Sequence, residues 1–340
     1  MRWFLVLATV LLVAGCGRAA VPERFHGPTM GTTYSIEVAR RPAAVGREQL
    51  QATIDDVLAE AGRHLSTYDA ASEISRFNAA ATTEAVEVSE PLGSVVAIAN
   101  EVSVASGGAF DITVGPLVRT WGFSEADAGV VTAPDAQQLA RLRAEVGYDK
   151  LQLQTDRRAL RKAVAGLQLD VNGIAPGYAV DRIAERFEAL GVNDYLIELG
   201  GEVRAHGRSP AGRPWRVAIE APLAGARKPY AVVELDGLGA STSGDYRDFR
   251  MVGGRRVSHT IDPRTGAPVT HGLASVCVVD ESTARADAFS TALMVLGPEK
   301  GMQLATRLGL AALFIVRSAD GAGFTSQATP EFQHLRRPLD

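Results

Sequence analysis

The stretch 170–181 (DVNGIAPGYAVD) joins an apolar run, 167–171, to a segment of helical pattern through a loop that holds Gly173 and Gly177. A glycine-bearing loop at a helix start leaves backbone N–H groups and carbonyls without partners, which suits anionic or phosphate-bearing ligands. Pro176 is out of keeping there, because it removes a donor and fixes φ where a ligand contact is expected. A second set is Asp287, Ser290 and Thr291, at i, i+3 and i+4, so that on a helix one carboxylate and two hydroxyls share a face. Oxygen-only surfaces of this kind suit Mg²⁺ that shares its shell with phosphate and water. The same residues also make an ordinary solvated face, with Asp287 in the first turn favouring the helix dipole and Thr291 bonding back to a carbonyl. His259 is a candidate proton acceptor or phosphate donor. No second histidine or cysteine stands at metal-ligand spacing, so a structural histidine is the plain alternative. Asp262, Pro263 and Gly266 are explained as turn chemistry. Ser241-Thr242-Ser243-Gly244 reads either as the lining of a polar pocket or as a loop, and Gly200-Gly201-Glu202 as a tight turn after a strand. No Walker loop, nucleophile elbow, HExxH or GxGxxG occurs in a usable context.

These residues need elements to position them. Ile183, Phe187 and Leu190 fall at i, i+4 and i+7 after the glycine loop, and Gly191 can cap that helix. Ala286, Phe289, Leu293 and Leu296 give the Asp287 segment a separate apolar stripe for the core. Helical stripes also run through Leu50, Ile54, Val57, Leu58, Ala61 and Leu65, and through 92–106, which Gly107-Gly108 stops. Strands are predicted over 32–38, 194–199, 216–220, 231–235, 274–279 and 311–316, and 110–118 reads as extended. The class is therefore α+β (mixed α/β), with one catalytic domain over 28–335 as the simplest account and no repeat or internal linker. Cys277 falls in a strand-like run as a buried structural thiol.

At 340 residues, with 46% hydrophobic and 22% charged residues, the chain can bury a core. A formal net charge of −4 and the lack of any Lys/Arg run remove the electrostatic case for nucleic acid. At the N-terminus, Arg2 precedes an apolar run, 3–13, shorter than the roughly 20 residues of a spanning helix. Val13-Ala14-Gly15-Cys16 then reads as a bacterial lipobox, or alternatively as a plain secretory leader with an incidental cysteine. The expectation is a signal peptide at 1–15, palmitate-type lipidation of Cys16, and a tether over 16–27. The chain would then be a lipoprotein anchored to a bacterial membrane and facing the periplasm or the cell exterior, with Gly17 slightly favouring the outer membrane.

Several segments, in this order, carry a resemblance that covers nearly all of the mature chain. They are Met30-Gly31-Thr32, Ser66-Thr67-Tyr68, 72–78 (SEISRFN), 108–117 (GAFDITVGPL), Trp121-Gly122-Phe123 and 170–181. Gly200-Gly201-Glu202, Ser243-Gly244-Asp245-Tyr246, 259–266 and 287–292 (DAFSTA) follow. Together they resemble the bacterial FAD:protein FMN transferases, the ApbE family. The resemblance implies a two-lobed flavin transferase fold. It also implies a Mg²⁺-dependent reaction in which FAD, as substrate, is split at its pyrophosphate, FMN is joined to a threonine or serine hydroxyl of a target flavoprotein, and AMP leaves. Such acceptors include subunits like those of ion-pumping quinone reductases.

By matching position, Asp287, Ser290, Thr291 and the Gly173 carbonyl are implied as the metal side. Met30, Tyr68, Ala109, Phe110, Asp111, Asp170 and Ile261 are implied as the flavin-nucleotide pocket, and His259 as the group that activates the acceptor hydroxyl or steadies the phosphate. The chain departs from the family at Pro176, a pocket position where many members carry Lys or another charged residue; a direct nucleotide contact is lost there. The rival readings are an FAD pyrophosphatase releasing FMN and AMP, a lipoprotein that binds FAD without catalysis, and a structural lipoprotein that keeps only the fold.

Overall fold

Residues 274–279 are apolar at every position but Ser275 because both faces of their strand are buried. In the strand Leu273–Asp280, Val276 and Val278 enter one core and Cys277 and Val279 enter another. The neighbouring strand Ala311–Arg317 divides Ala312 and Phe314 from Leu313 and Ile315 in the same way. Successive strand side chains point to opposite faces, so an unbroken apolar run marks a strand covered on both sides.

The computed structural model of the chain describes residues 22–123, 133–223, 225, 227–246, 249–252, 255–318 and 323–339. The apolar leader and Cys16 lie outside the described residues. Among these residues no helix is long and apolar enough to cross a membrane.

The two strands belong to an eight-stranded sheet in the spatial order Glu23–Thr29, Thr32–Arg40, Asp194–Leu199, Glu202–His206, Leu238–Gly244, Leu273–Asp280, Ala311–Arg317 and Phe324–Ala328. Every neighbouring pair is antiparallel. Helices cover one face. Arg47–Leu65 and Ala175–Ala189 pack Leu50, Ile54, Ile183 and Phe187 against Ile36, Val38 and Ile197. Glu90–Ser106 and Thr283–Leu308 pack Leu92, Val96, Phe289 and Leu293 against Val276 and Phe314. On the other face, a three-stranded sheet of Arg336–Arg337, Pro229–Leu235 and Trp215–Glu220 contributes Trp215, Val233 and Leu235 to the core with Cys277. Antiparallel strands with helices gathered on one face are the α+β class, as the sequence predicts.

Four local expectations are corrected. Glu23–Thr29 is an edge strand paired to Thr32–Arg40 through the two-residue turn Met30-Gly31, so residues 23–27 belong to the sheet and not to a tether. Both turn residues have positive φ (47° and 72°), the geometry that suits a two-residue hairpin to the strand twist. The stretch 110–118 is not extended: the Asp111 side chain accepts from the Thr113 N–H and hydroxyl, and the helix Gly115–Thr120 follows with proline in its first turn. Gly177 lies in the first turn of the helix Ala175–Ala189, not in the loop before it. Residues 241–243, read as pocket lining or loop, form an inner strand of the main sheet that also lines the cleft.

Candidate active site

The helix Thr283–Leu308 begins at the cap Ser282, whose hydroxyl accepts from the Arg285 N–H. Asp287 therefore stands in the second turn, one turn deeper than the sequence suggests, and its face is not solvated. Asp287 is 5% exposed and Ser290 fully buried. The Ser290 hydroxyl bonds back to the Asp287 carbonyl at 2.9 Å and takes a bond from Ser243 at 2.7 Å.

The face is buried because the helix Ala175–Ala189 lies against it. Gly177 makes that approach possible: a Cβ there would lie 2.6 Å from the Thr283 carbonyl oxygen and 2.9 Å from Ala284 Cα. The Gly177 N–H, one of the donors a helix start leaves unpaired, donates to Asp287 Oδ2 at 3.3 Å. Pro176 occupies the same first turn, where a missing N–H removes no helical bond, so the helix start is intact around it. One residue before the helix cap, Gly173 faces Thr291: a Cβ on Gly173 would be 3.1 Å from Thr291 Oγ1 and 3.5 Å from the Phe110 ring.

These residues open onto a cleft of about 1770 Å³ that every sequence-predicted site residue in the described chain lines except Ser290. Ser290 stands behind Asp287 and supports Ser243, which does line the cleft. Volumes of roughly 300–1,000 Å³ suffice for drug-sized ligands, so the cleft has room for something larger.

One wall is built by the turn after the helix Glu90–Ser106, where Gly107 and Gly108 reverse the chain at positive φ and deliver buried Ala109 and Phe110. Asp111 holds this wall in place: beyond its Thr113 contacts, Oδ2 accepts from the Tyr148 N–H at 2.8 Å. Burial raises the Asp111 carboxyl above its usual range, and the Thr113 and Tyr148 bonds oppose the shift. Asp170 is anchored by its own N–H to the Ile112 carbonyl at 2.6 Å and accepts from the Asn172 N–H at 3.0 Å. Its carboxyl is also raised by burial, against the Asn172 bond and the charge of Arg119. At the rim, Tyr68 is 58% exposed, its hydroxyl accepting from Asn172 Nδ2 at 3.3 Å.

On the far side, Trp121 Nε1 donates to the Gly266 carbonyl at 2.8 Å, tying the Trp121-Gly122-Phe123 segment to the 259–266 turn. His259 is half-buried there, edge-on to Phe123 at 6.3 Å between ring centroids, beside buried Ile261.

Sequence reasoning quoted Glu202 in a turn motif and gave it no role. The structure makes it a cleft carboxylate beside Asp287, with Ser241 Oγ within 3.4 Å of both Glu202 Oε1 and Ser290 Oγ. The missed signal is a carboxylate directly after a Gly-Gly turn, which the hairpin swings back onto the sheet. Burial, with the charge of Glu198, pushes Glu202 up to about 7, against its Ser241 bond. Burial first, then the Glu202 charge, holds Asp287 well above the usual range despite the Gly177 and Ser241 bonds.

Two desolvated carboxylates in one pocket favour a proton or a cation between them. Asp287, Thr291 and Gly173 line the cleft together, and the hard oxygen donors that these residues carry, few in number, fit Mg²⁺ completed by phosphate and water. Among the described residues no cluster of three His, Cys, Asp or Glu side chains offers a protein-only metal cage.

A pH dependence follows from the raised carboxyls. Between the ordinary value near 4.5 and the folded value of about 7, Glu202 binds more protons folded than unfolded. The metal-free protein therefore loses stability as pH rises through that window, and Asp287 adds to the loss with the same sign. Thermal melts from pH 5 to 8 should show the gap between Mg²⁺ and EDTA samples widening with pH; a gap of constant size would contradict the carboxylate pairing.

The ApbE family model matches residues 30–314. The FAD:protein FMN transferase of Vibrio cholerae is 39% identical over 333 residues, covering 98% of each chain. The crystal structure of the Pseudomonas stutzeri flavinyl transferase ApbE, apo form, is similar at a TM-score of 0.84 and 46% identity, covering 93% of this chain and 96% of that one. The flavin transferase ApbE from Vibrio cholerae superimposes at a TM-score of 0.85 with 37% identity, covering 93% and 99%.

Proposed function

The chain belongs to the ApbE family, and from that premise we propose that it is a Mg²⁺-dependent FAD:protein FMN transferase acting on a threonine or serine of a redox protein. The observation that carries the reading is the buried Asp287 carboxylate packed against the glycine segment 173–177 in the wall of a cleft larger than one small ligand needs. Phosphoryl transfer asks a protein mainly for in-line positioning and charge neutralisation.

In the proposed reaction the acceptor hydroxyl oxygen bonds to the FMN phosphorus as the bond from that phosphorus to the bridging pyrophosphate oxygen breaks. AMP leaves with that oxygen and its electron pair, and the hydroxyl proton passes to a ring nitrogen of His259. A neutral hydroxyl is a weak nucleophile, so a proton acceptor in the cleft is required. Tyr68 stacks on a ring of FAD, while Met30, Ala109, Phe110, Asp170 and Ile261 shape its pocket and Asp111 holds the Ala109-Phe110 wall. Asp287, Thr291 and the Gly173 carbonyl would hold Mg²⁺, with Ser290 as support from behind; bound there, the ion neutralises phosphate oxygens. Pro176 offers the nucleotide only its ring.

The test is incubation with FAD, Mg²⁺ and a polypeptide bearing an acceptor threonine, read as in-gel flavin fluorescence on that polypeptide. Free FMN and AMP with an unlabelled acceptor would replace this reading by a pyrophosphatase, and FAD binding without products by a storage protein. The 1–16 sequence supports a lipid anchor at Cys16 that faces the enzyme outside the cytoplasm. Palmitate incorporation should then disappear in Cys16→Ser, and labelling that survives the substitution would reject the anchor.

A further inference from the structure

The two segments that frame the carboxylate meet at three places. Gly173, before the glycine-loop helix, faces Thr291; Gly177 packs on the backbone of Thr283 and Ala284 and donates to the Asp287 side chain; and Asp181 meets Thr283 and Ala284 one turn further on. The first two contacts are the site itself. In the third, Asp181 accepts from the Thr283 N–H at 2.9 Å, the Ala284 N–H at 3.0 Å and the Ser282 hydroxyl at 2.8 Å. The start of the Asp287 helix is thus capped by a carboxylate on the opposing helix as well as by its own Ser282. Asp181 Oδ1 also takes a bond from Arg204 Nη1 at 3.3 Å, from the strand that carries Glu202.

We infer that Asp181 is a positioning residue for the metal side: by locking Thr283 and Ala284 to the glycine-loop helix, it fixes the register that brings the Gly173 carbonyl, Thr291 and Asp287 to one point. The inference rests on the metal reading above. Each four-residue step spans about 6 Å of helix, so Asp181 stands roughly two steps from Thr291 and touches no ligand itself. Helix N–H groups can find another capping acceptor or water; the register cannot be supplied by either. Without Asp181 the Asp287 helix can slide along or rotate on the glycine-loop helix, and the oxygen set loses its spacing before the fold is lost.

The experiment is a titration of the full chain with Mn²⁺ alone, followed by the electron paramagnetic resonance signal of the free ion. Outer partners of metal ligands typically change metal affinity by about 10- to 100-fold, and that loss is expected for Asp181→Ala, with FAD affinity in EDTA unchanged. Asp181→Asn, which keeps one oxygen acceptor, should show a smaller loss and serves if the alanine variant does not fold. Ser282→Ala removes the helix's own cap but leaves both backbone bonds to Asp181, so it should lower the melting temperature without moving Mn²⁺ affinity; an equal loss of Mn²⁺ affinity in Ser282→Ala would reduce the effect to general destabilisation and overturn the inference. Unchanged Mn²⁺ affinity in the Asp181 variants, with binding lost in Asp287→Ala, overturns the inference and leaves the metal reading standing. Absence of saturable binding in the unsubstituted protein overturns both.

Discussion

Replacing Asp287 by asparagine is expected to abolish flavin transfer and, at pH 8 in EDTA, to raise the melting temperature. The two effects have one cause. Asp287 is a buried carboxylate with Glu202 nearby and a single backbone donor from Gly177. Charge held in that pocket without a counter-ion is unfavourable, and asparagine removes it while its amide oxygen can still accept from Gly177. The same charge is what a hard divalent cation needs. Losing the several kcal/mol that a metal contributes to transition-state charge corresponds to a rate loss of about 10²- to 10⁴-fold. Acceptor labelling rates and melts in EDTA measure the two halves independently. Transfer at the unsubstituted rate would refute the metal assignment, and a lower melting temperature in EDTA would refute the electrostatic account of the pocket.

Gly177→Ala is the second large effect, and its sign is set by competition. Alanine gains about 1 kcal/mol of helix propensity over glycine. Against it stands a Cβ 2.6 Å from a backbone oxygen and 2.9 Å from two backbone carbons, none of which can rotate away. Overpacking of this kind costs about 1–3 kcal/mol. If the helices part, the bond from Gly177 to the Asp287 carboxylate is lost as well, worth about 1.5–3 kcal/mol for a charged acceptor. The clash wins, by about 2 kcal/mol or more. A melting temperature lower by roughly 3–6 °C is expected, together with weaker Mg²⁺ dependence of transfer, since the parted helices both line the site. Stability and metal response equal to the unsubstituted protein would show that the helix contact is looser than described.

The α+β class and most individual elements were legible because their signals are local. The Leu50–Leu65 stripe, the Gly107 stop and the 194–199 and 311–316 strands all stand where periodicity and glycine place them. The residues that line the candidate site were legible as a set, through the resemblance; how they sit in one cleft was not. Asp287 looked as much like a solvated helix residue as a ligand, because what buries it is a helix more than a hundred residues earlier in the chain. Ser290 shares the Asp287 face by spacing yet lies behind it, as only the packing of Ser243 reveals. Glu202 and Asp181 were quoted inside motifs without roles, since their partners come from other strands and helices. Pro176 drew notice as an oddity in a ligand loop and is ordinary as a first-turn residue of a helix. The strand 241–243 escaped because serine and threonine carry little hydrophobic pattern, and 110–118 because a proline-started helix reads as extended when its asparagine-like turn is built by Asp111.

The central claim is that this cleft transfers FMN from FAD to a polypeptide hydroxyl and does not hydrolyse FAD. Its most direct measurement is the amount of AMP released against the amount of flavin covalently attached to an acceptor polypeptide, in the same reaction with Mg²⁺. The two are expected to rise together in equal amounts, with no free FMN, and both to vanish in Asp287→Asn. AMP released in step with free FMN, with the acceptor unlabelled, would contradict it.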